Sequence, residues 1–198
     1  MSMLLSRQGQ VFISKITSAM VVTELDLPGV LLLEAPVYKD SRGCFYESFN
    51  QKCWIDSPIG KAGRKPFVQD NVSVSHRGVF RGMHLQRAPH AQSKLVRVLS
   101  GRIIDFVLDV NPSSPTYGKS IAISLGAHSG QALYIPAGYA HGFLALDPNT
   151  VLQYKVDENY HPESEETYHY TSVAELLSRY YSLDDLILSE KDLAGVSL

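Results

Sequence analysis

The chain is poor in cysteine: Cys44 and Cys53 are the only two in 198 residues. No CxxC pair is present, which removes the commonest zinc-site spacing. Two cysteines in a domain of this size read as reduced thiols rather than a disulfide framework. Long apolar runs are also missing, and none approaches the roughly 18 residues of a membrane span. The first twenty residues are broken by Arg7, Gln8, Gly9, Gln10 and Lys15, so no secretory h-region stands there. These absences lead to the expectation of a soluble, cytoplasmic protein. An excess of positive charge is lacking as well. The formal net charge is −2, so no overall basic field points to nucleic acid, and any anion site must be local. Repeats, low-complexity tracts and linkers are absent. One domain over 1–198, with 1–19 as an N-terminal extension, is the expected organisation.

What remains is globular composition, 44% apolar and 19% charged. Short β-prone runs separated by turn residues fill the chain from about Val21 to Val156. Gly29 to Glu34 is one such run. Phe45 to Phe49 follows the turn Asp40-Ser41-Arg42-Gly43. Lys94 to Leu99 and Arg102 to Val110 flank Ser100-Gly101, a two-residue hairpin signal. Asn111-Pro112-Ser113-Ser114-Pro115 is a loop, because the residue before each proline is driven out of helical geometry. Ser120 to Leu125, Gln131 to Ile135 and Thr150 to Val156 are further strands. Runs such as Ile103-Ile104-Asp105-Phe106-Val107-Leu108 are apolar on both faces, so these strands should be covered on both sides. The pattern predicts an all-β barrel or sandwich. Helix is expected over Val173 to Tyr181, with Ser172 as a possible N-cap, and briefly over Gln51 to Asp56.

Chemistry-bearing residues cluster in Phe80-Arg81-Gly82-Met83-His84-Leu85-Gln86 and Lys94-Leu95-Val96-Arg97-Val98. A titratable His, an Arg and a Lys on neighbouring β-prone runs are what proton abstraction beside a carbonyl requires. Arg81 and His84 would point to opposite faces of a regular strand. Gly82 is where a bulge would bring both to one side. Lys94 shares strand parity with Val96 and Val98, and a lone buried ammonium is costly without a partner or ligand. Taken singly, each residue also has an ordinary role: a rim histidine, an edge lysine, a core Tyr154, a tail Asp192, a turn Arg42. His141 follows the cupin-like pattern Pro136-x-Gly138-x-x-His141. The companion His-x-His with a nearby Glu is His84-Leu85-Gln86 here, too few ligands for a metal.

In combination these motifs, with Asp40 to Phe49, Gln69 to Ser73, Ser113 to Lys119 and Leu188 to Asp192, resemble the dTDP-4-dehydrorhamnose 3,5-epimerases. These are sugar-nucleotide epimerases of the cupin superfamily. The resemblance runs from about Val22 to Asp192. It implies a cupin-type jelly-roll barrel with a few short helices, mainly C-terminal, no cofactor, no metal, and a homodimer with exchanged N-terminal strands. It implies His84 as general base oriented by Asp192, Tyr154 as acid on the opposite face of the sugar, and Lys94 beside the C4 carbonyl oxygen. Gln69, Asn71, Arg81, His141, Tyr160 and Lys191 would line the substrate site. Arg42, Phe45 and Glu47 would come from the partner subunit. The implied reaction is epimerisation of a dTDP-linked 4-keto-6-deoxy sugar. A mono-epimerase at C3 or C5, a non-catalytic cupin and a metal-dependent cupin are the competing readings.

Overall fold

In the computed structural model of the chain, residues 11–12, 20–56 and 65–198 are described. The expected N-terminal extension falls mostly outside them. Two antiparallel sheets face each other, as the double-sheet jelly roll requires. The first has seven strands in the order β1 (Val11–Phe12), β2 (Val21–Glu24), β3 (Leu31–Glu34), β11 (Gln131–Ile135), β8 (Lys94–Ser100), β13 (Thr150–Val156) and β6 (Gln69–Ser75). The second has five: β10 (Ser120–Gly126), β9 (Arg102–Asp109), β12 (Tyr139–Ala145), β7 (Phe80–Gln86) and β14 (Glu165–Thr167). A separate hairpin pairs β4 (Tyr38–Asp40) with β5 (Gly43–Phe45).

Strand alternation sorts the apolar residues into layers. Val96, Val98, Ile103, Val107, Leu133, Ile135, Phe143 and Leu152 meet between the sheets. Ile104, Phe106 and Leu108 alternate with them and pack outward, under Val173 and Leu177. Leu95 and Tyr134 do the same on the outer face of the large sheet, beneath Trp54 of α1 (Gln51–Asp56). The strands that read as apolar on both faces are therefore covered on both.

Three local expectations change. Ser100-Gly101 closes no hairpin, because β8 and β9 lie in different sheets. Each already has neighbours on both edges, β11 and β13 for one and β10 and β12 for the other. Gly101, at φ 78°, is a corner that carries the chain between sheets, and a Cβ there would meet Thr150 Oγ1 at 2.6 Å. The strand expected over Phe45 to Phe49 ends at Phe45. The helix expected from Val173 begins as a 3-10 turn, Tyr170–Val173, capped by the His169 side chain. It continues as α2 (Ala174–Leu177). Ser172 is not its cap, since its hydroxyl accepts from the Leu198 backbone N–H. At the other end, Ser178 Oγ donates to the Glu175 carbonyl. The short helix at Gln51–Asp56 is where the pattern put it.

The bulge at Gly82 decides where the site residues point. On β12, His141 lies opposite His84, and Phe143 lies opposite Arg81. Two steps on one strand thus match three on the other, the count of a β-bulge. Phe80, Met83 and Leu85 all face the outer core, while Arg81 and His84 both turn inward. Gly82 takes φ 137°, and a Cβ there would stand 2.4 Å from Gly142 Cα. Gly82→Ala should therefore cost at least about 2 kcal/mol of stability and remove activity with it. A denaturant midpoint unchanged from wild type would show that the bulge tolerates a side chain.

Candidate active site

A cavity of about 400 Å³ opens between the two sheets at one end of the barrel. Its walls carry chemistry of different kinds. The five-stranded sheet contributes Arg81, His84 and His141, and the seven-stranded sheet contributes Lys94 and Tyr154. Any ligand in the cavity therefore has the imidazoles on one side and the ammonium and phenol on the other. Tyr160, Glu165 and Lys191 complete the rim. Gln69 and Asn71 share strand parity with Ser73, which lines the cavity. They pair in register with Val156 and Tyr154, and Gln69 Oε1 accepts from the Tyr160 backbone N–H at 3.1 Å.

His84 is held by a carboxylate from the chain's far end. Its Nε2 lies 2.6 Å from Asp192 Oδ1. Asp192 sits in α3 (Glu190–Leu193), whose N-cap is Ser189. The Ser189 hydroxyl donates to Asp192 Oδ2 at 2.8 Å, so both carboxylate oxygens are engaged. Burial pushes this carboxyl up, but the bonds from His84 and Ser189 and the attraction of His84 outweigh it and hold it below its ordinary value. With Nε2 donating to Asp192, neutral His84 leaves Nδ1 as the proton acceptor.

Lys94 is 8% exposed and makes no hydrogen bond or ion pair among the described residues. Burial lowers its pKa to about 8, against the pull of Glu165 and Asp157. The Tyr154 hydroxyl likewise has no hydrogen-bond partner among the described residues. Burial and the nearby Glu165 raise its pKa while Arg81 lowers it, so it keeps its proton at neutral pH. Two polar groups thus face the cavity without protein partners, which is costly unless water or a ligand satisfies them.

Two acids escaped the sequence reading. Glu165 accepts from the Tyr160 hydroxyl at 2.7 Å and pairs with Lys191 at 2.5 Å. Its own motif, Glu163-Ser164-Glu165-Glu166, offers no signal to separate it from its acidic neighbours. Only β14 pairing with β7 brings it to the cavity. Asp105 is fully buried on the inner face of β9. Its Oδ2 lies 2.9 Å from His141 Nε2, and burial raises its pKa against the opposing pull of His141. An acid inside an apolar run was the available signal. The cavity holds a second His–Asp pair beside the first.

Arg42, Phe45 and Glu47 do not reach this cavity. Arg42 and Phe45 lie on the β4–β5 hairpin, along a separate cleft. Arg42 pairs with Asp40 of its own turn, Phe45 is 72% exposed, and Glu47 accepts from Asn50.

The arrangement provides a carboxylate-bound imidazole on one wall and a neutral phenol with a buried ammonium on the other. That set fits proton removal next to a carbonyl. Comparison with known proteins points the same way. The family model for dTDP-4-dehydrorhamnose 3,5-epimerase matches residues 24–198. The enzyme of that name from Escherichia coli (strain K12) is 44% identical over 149 residues, covering 74% of this chain and 77% of the relative. The one from Methanothermobacter thermautotrophicus is 40% identical over 173 residues, covering 87% and 90%. Among solved structures, dTDP-6-deoxy-D-glucose-3,5-epimerase from Legionella pneumophila, in complex with dTDP-4-keto-L-rhamnose, superposes with a TM-score of 0.80. It is 36% identical and covers 90% of this chain and 93% of that one. On fold, cavity and sequence together, the chain belongs to the dTDP-4-dehydrorhamnose 3,5-epimerase family.

Proposed function

We infer that the chain epimerises a dTDP-linked 4-keto-6-deoxy sugar at C3 and C5, without a cofactor. The observation that carries this reading is the opposition of His84 and Tyr154 across one cavity. The C4 ketone acidifies the hydrogens on C3 and C5. His84 Nδ1 removes one, and Asp192 stabilises the imidazolium that forms. The electron pair moves into the carbonyl, and the Lys94 ammonium holds the enolate oxygen. Tyr154 then delivers a proton to the other face of the same carbon, inverting it. The imidazolium then releases its proton to solvent and the tyrosinate takes one up, which returns both groups to their starting states. Arg81 and Lys191 are the cations placed for the diphosphate. Arg81 is steadied by Ser75 Oγ at 3.0 Å, and Lys191 by Glu165.

The active unit in this reading is a homodimer whose partner supplies Arg42, Phe45 and Glu47. The exposure of Phe45 supports it, as do Val72 and Val74, which stand exposed on β6 at the open edge of the large sheet. A sedimentation mass of one chain at working concentration would rule it out.

Proton NMR of substrate and enzyme in heavy water tests the chemistry: wild type should place deuterium at both C3 and C5 with inversion. Tyr154→Phe leaves the base, Lys94 and the diphosphate clamp in place. Its imidazolium still returns a deuteron to the face the proton left. Deuterium should therefore enter with little inversion, most clearly at C5. Full inversion at both carbons would assign reprotonation to another acid. Loss of exchange together with inversion would make Tyr154 a positioning residue.

A further inference from the structure

Outside the cavity, one cluster of ligand-type side chains stands among the described residues. His90, His161 and Glu163 bring ligand atoms within 4.8 Å of one another. His90 lies in the loop between β7 and β8, and the other two lie in the segment before β14. The two imidazoles stack, with centroids 3.6 Å apart and planes 9° from parallel. Both turn Nδ1 toward the same corner. His161 Nδ1 is 3.0 Å from Glu163 Oε1. His90 Nδ1 is 3.9 Å from that oxygen and 2.9 Å from Ser164 Oγ.

We propose that His90, His161 and Glu163 form a binding site for one divalent transition-metal ion of the zinc type. The donor set selects the class. Two imidazoles with one carboxylate suit zinc and its neighbours, whereas calcium and magnesium require mainly oxygen ligands. Three protein ligands leave a fourth, water-filled position. Zinc bonds of about 2.0–2.1 Å put tetrahedral donors roughly 3.3 Å apart; His161 Nδ1 and Glu163 Oε1 already stand within that, so His90 is the donor that must move in. An ion also lies in the plane of a ligating ring, so the stack must open about its Nδ1 edge. Side-chain rotation suffices, because Glu163 is exposed and both rings are partly exposed.

The backbone on either side is already fixed by one side chain, that of Gln86. Its Nε2 donates to the carbonyls of His90 at 2.8 Å and Asn159 at 3.1 Å. Its Oε1 accepts from the His161 backbone N–H at 2.7 Å. Gln86 is buried, so loop and segment are held in register before any ion arrives. This is the preorganisation a site needs. An ion there ties the β7–β8 loop to the segment that carries Tyr160 on the cavity rim. Its effect on turnover, which rests on the epimerase reading, should fall on substrate binding rather than on the chemical step.

The test uses the full-length chain, stripped with chelator and titrated with zinc chloride in a calorimeter. Wild type should take up one equivalent, and His90→Ala and His161→Ala should each weaken it by at least about tenfold. Cobalt loading should give visible bands that both variants lose. Absence of binding, or equal affinity in either variant, overturns the site. Capture by His84 or His141 would produce that equality. In the activity arm, zinc should shift KM in wild type and not in His161→Ala, with kcat unchanged. An unaltered KM in zinc-loaded wild type overturns the link to Tyr160, while the binding result stands independently of the reaction assigned to the cavity.

Discussion

His84→Ala should abolish deuterium exchange at both C3 and C5 and lower turnover by about 10²–10⁴-fold or more. His84 lines the cavity and is the imidazole whose Nε2 is committed to Asp192, which leaves Nδ1 as its acceptor. His141, the other imidazole there, has its Nε2 engaged by Asp105. The substitution removes a partly exposed ring from the cavity wall, so the barrel should stay folded. A circular dichroism spectrum and melting curve alongside the exchange assay separate the two effects. Near-normal turnover in a folded variant would move the base elsewhere, with His141 as the first alternative. Asp192→Asn is the natural companion. It keeps the shape and removes the charge that favours the imidazolium, so it should slow exchange while leaving substrate binding close to wild type.

Lys94→Met should slow turnover by about 10²–10³-fold, the usual loss when one oxyanion partner is removed, and should stabilise the fold. Burial holds the Lys94 pKa at about 8, while the unfolded chain keeps the ordinary value of 10.5. Between those values the unfolded state binds more protons, so the Lys94 contribution to stability rises with pH across that window. Below about pH 8 the buried ammonium opposes folding, by about 3 kcal/mol at most. Methionine has a similar length and no charge, so a rise of several degrees in Tm at neutral pH is expected. In wild type, kcat/KM should fall above about pH 8 as the ammonium is lost. A destabilised Lys94→Met, or a wild-type alkaline limb still flat at pH 9.5, would contradict the assignment. The residue is thus read as one kept for function at a cost in stability.

The β4–β5 hairpin and the residues that follow it, Asp40 to Phe49, show how far local pattern carries. Asp40-Ser41-Arg42-Gly43 reads as a turn and is one, closed by Arg42 bonds to Asp40. Turn chemistry is local, since it depends on neighbours two residues apart. What lies beyond the turn is not local. The run from Phe45 to Phe49 has strand composition but ends at Phe45, where pairing with β4 ends. Ser100-Gly101 fails for a related reason. A hairpin signal specifies a tight reversal, but not whether the two strands pair with each other or with strands from elsewhere in the chain.

Sequence alone determined most of the strands, the covering of both sheet faces and the bulge at Gly82. Each follows from a period of two, a turn residue or a missing Cβ, all readable over a few positions. It also determined the family, through motifs dense enough to mark His84, Lys94, Tyr154 and Asp192 together. Tertiary structure decided which residues meet. Glu165 lies 26 residues before Lys191 in the chain and is indistinguishable from its acidic neighbours until β14 pairs with β7. Asp105 faces His141 only because β9 and β12 are adjacent, and His90 stacks on His161 only because Gln86 holds two loops together. Such contacts depend on pairing between distant segments, which no local propensity encodes. The same pairing sets the electrostatics, since burial by remote strands is what brings Lys94 down to about 8.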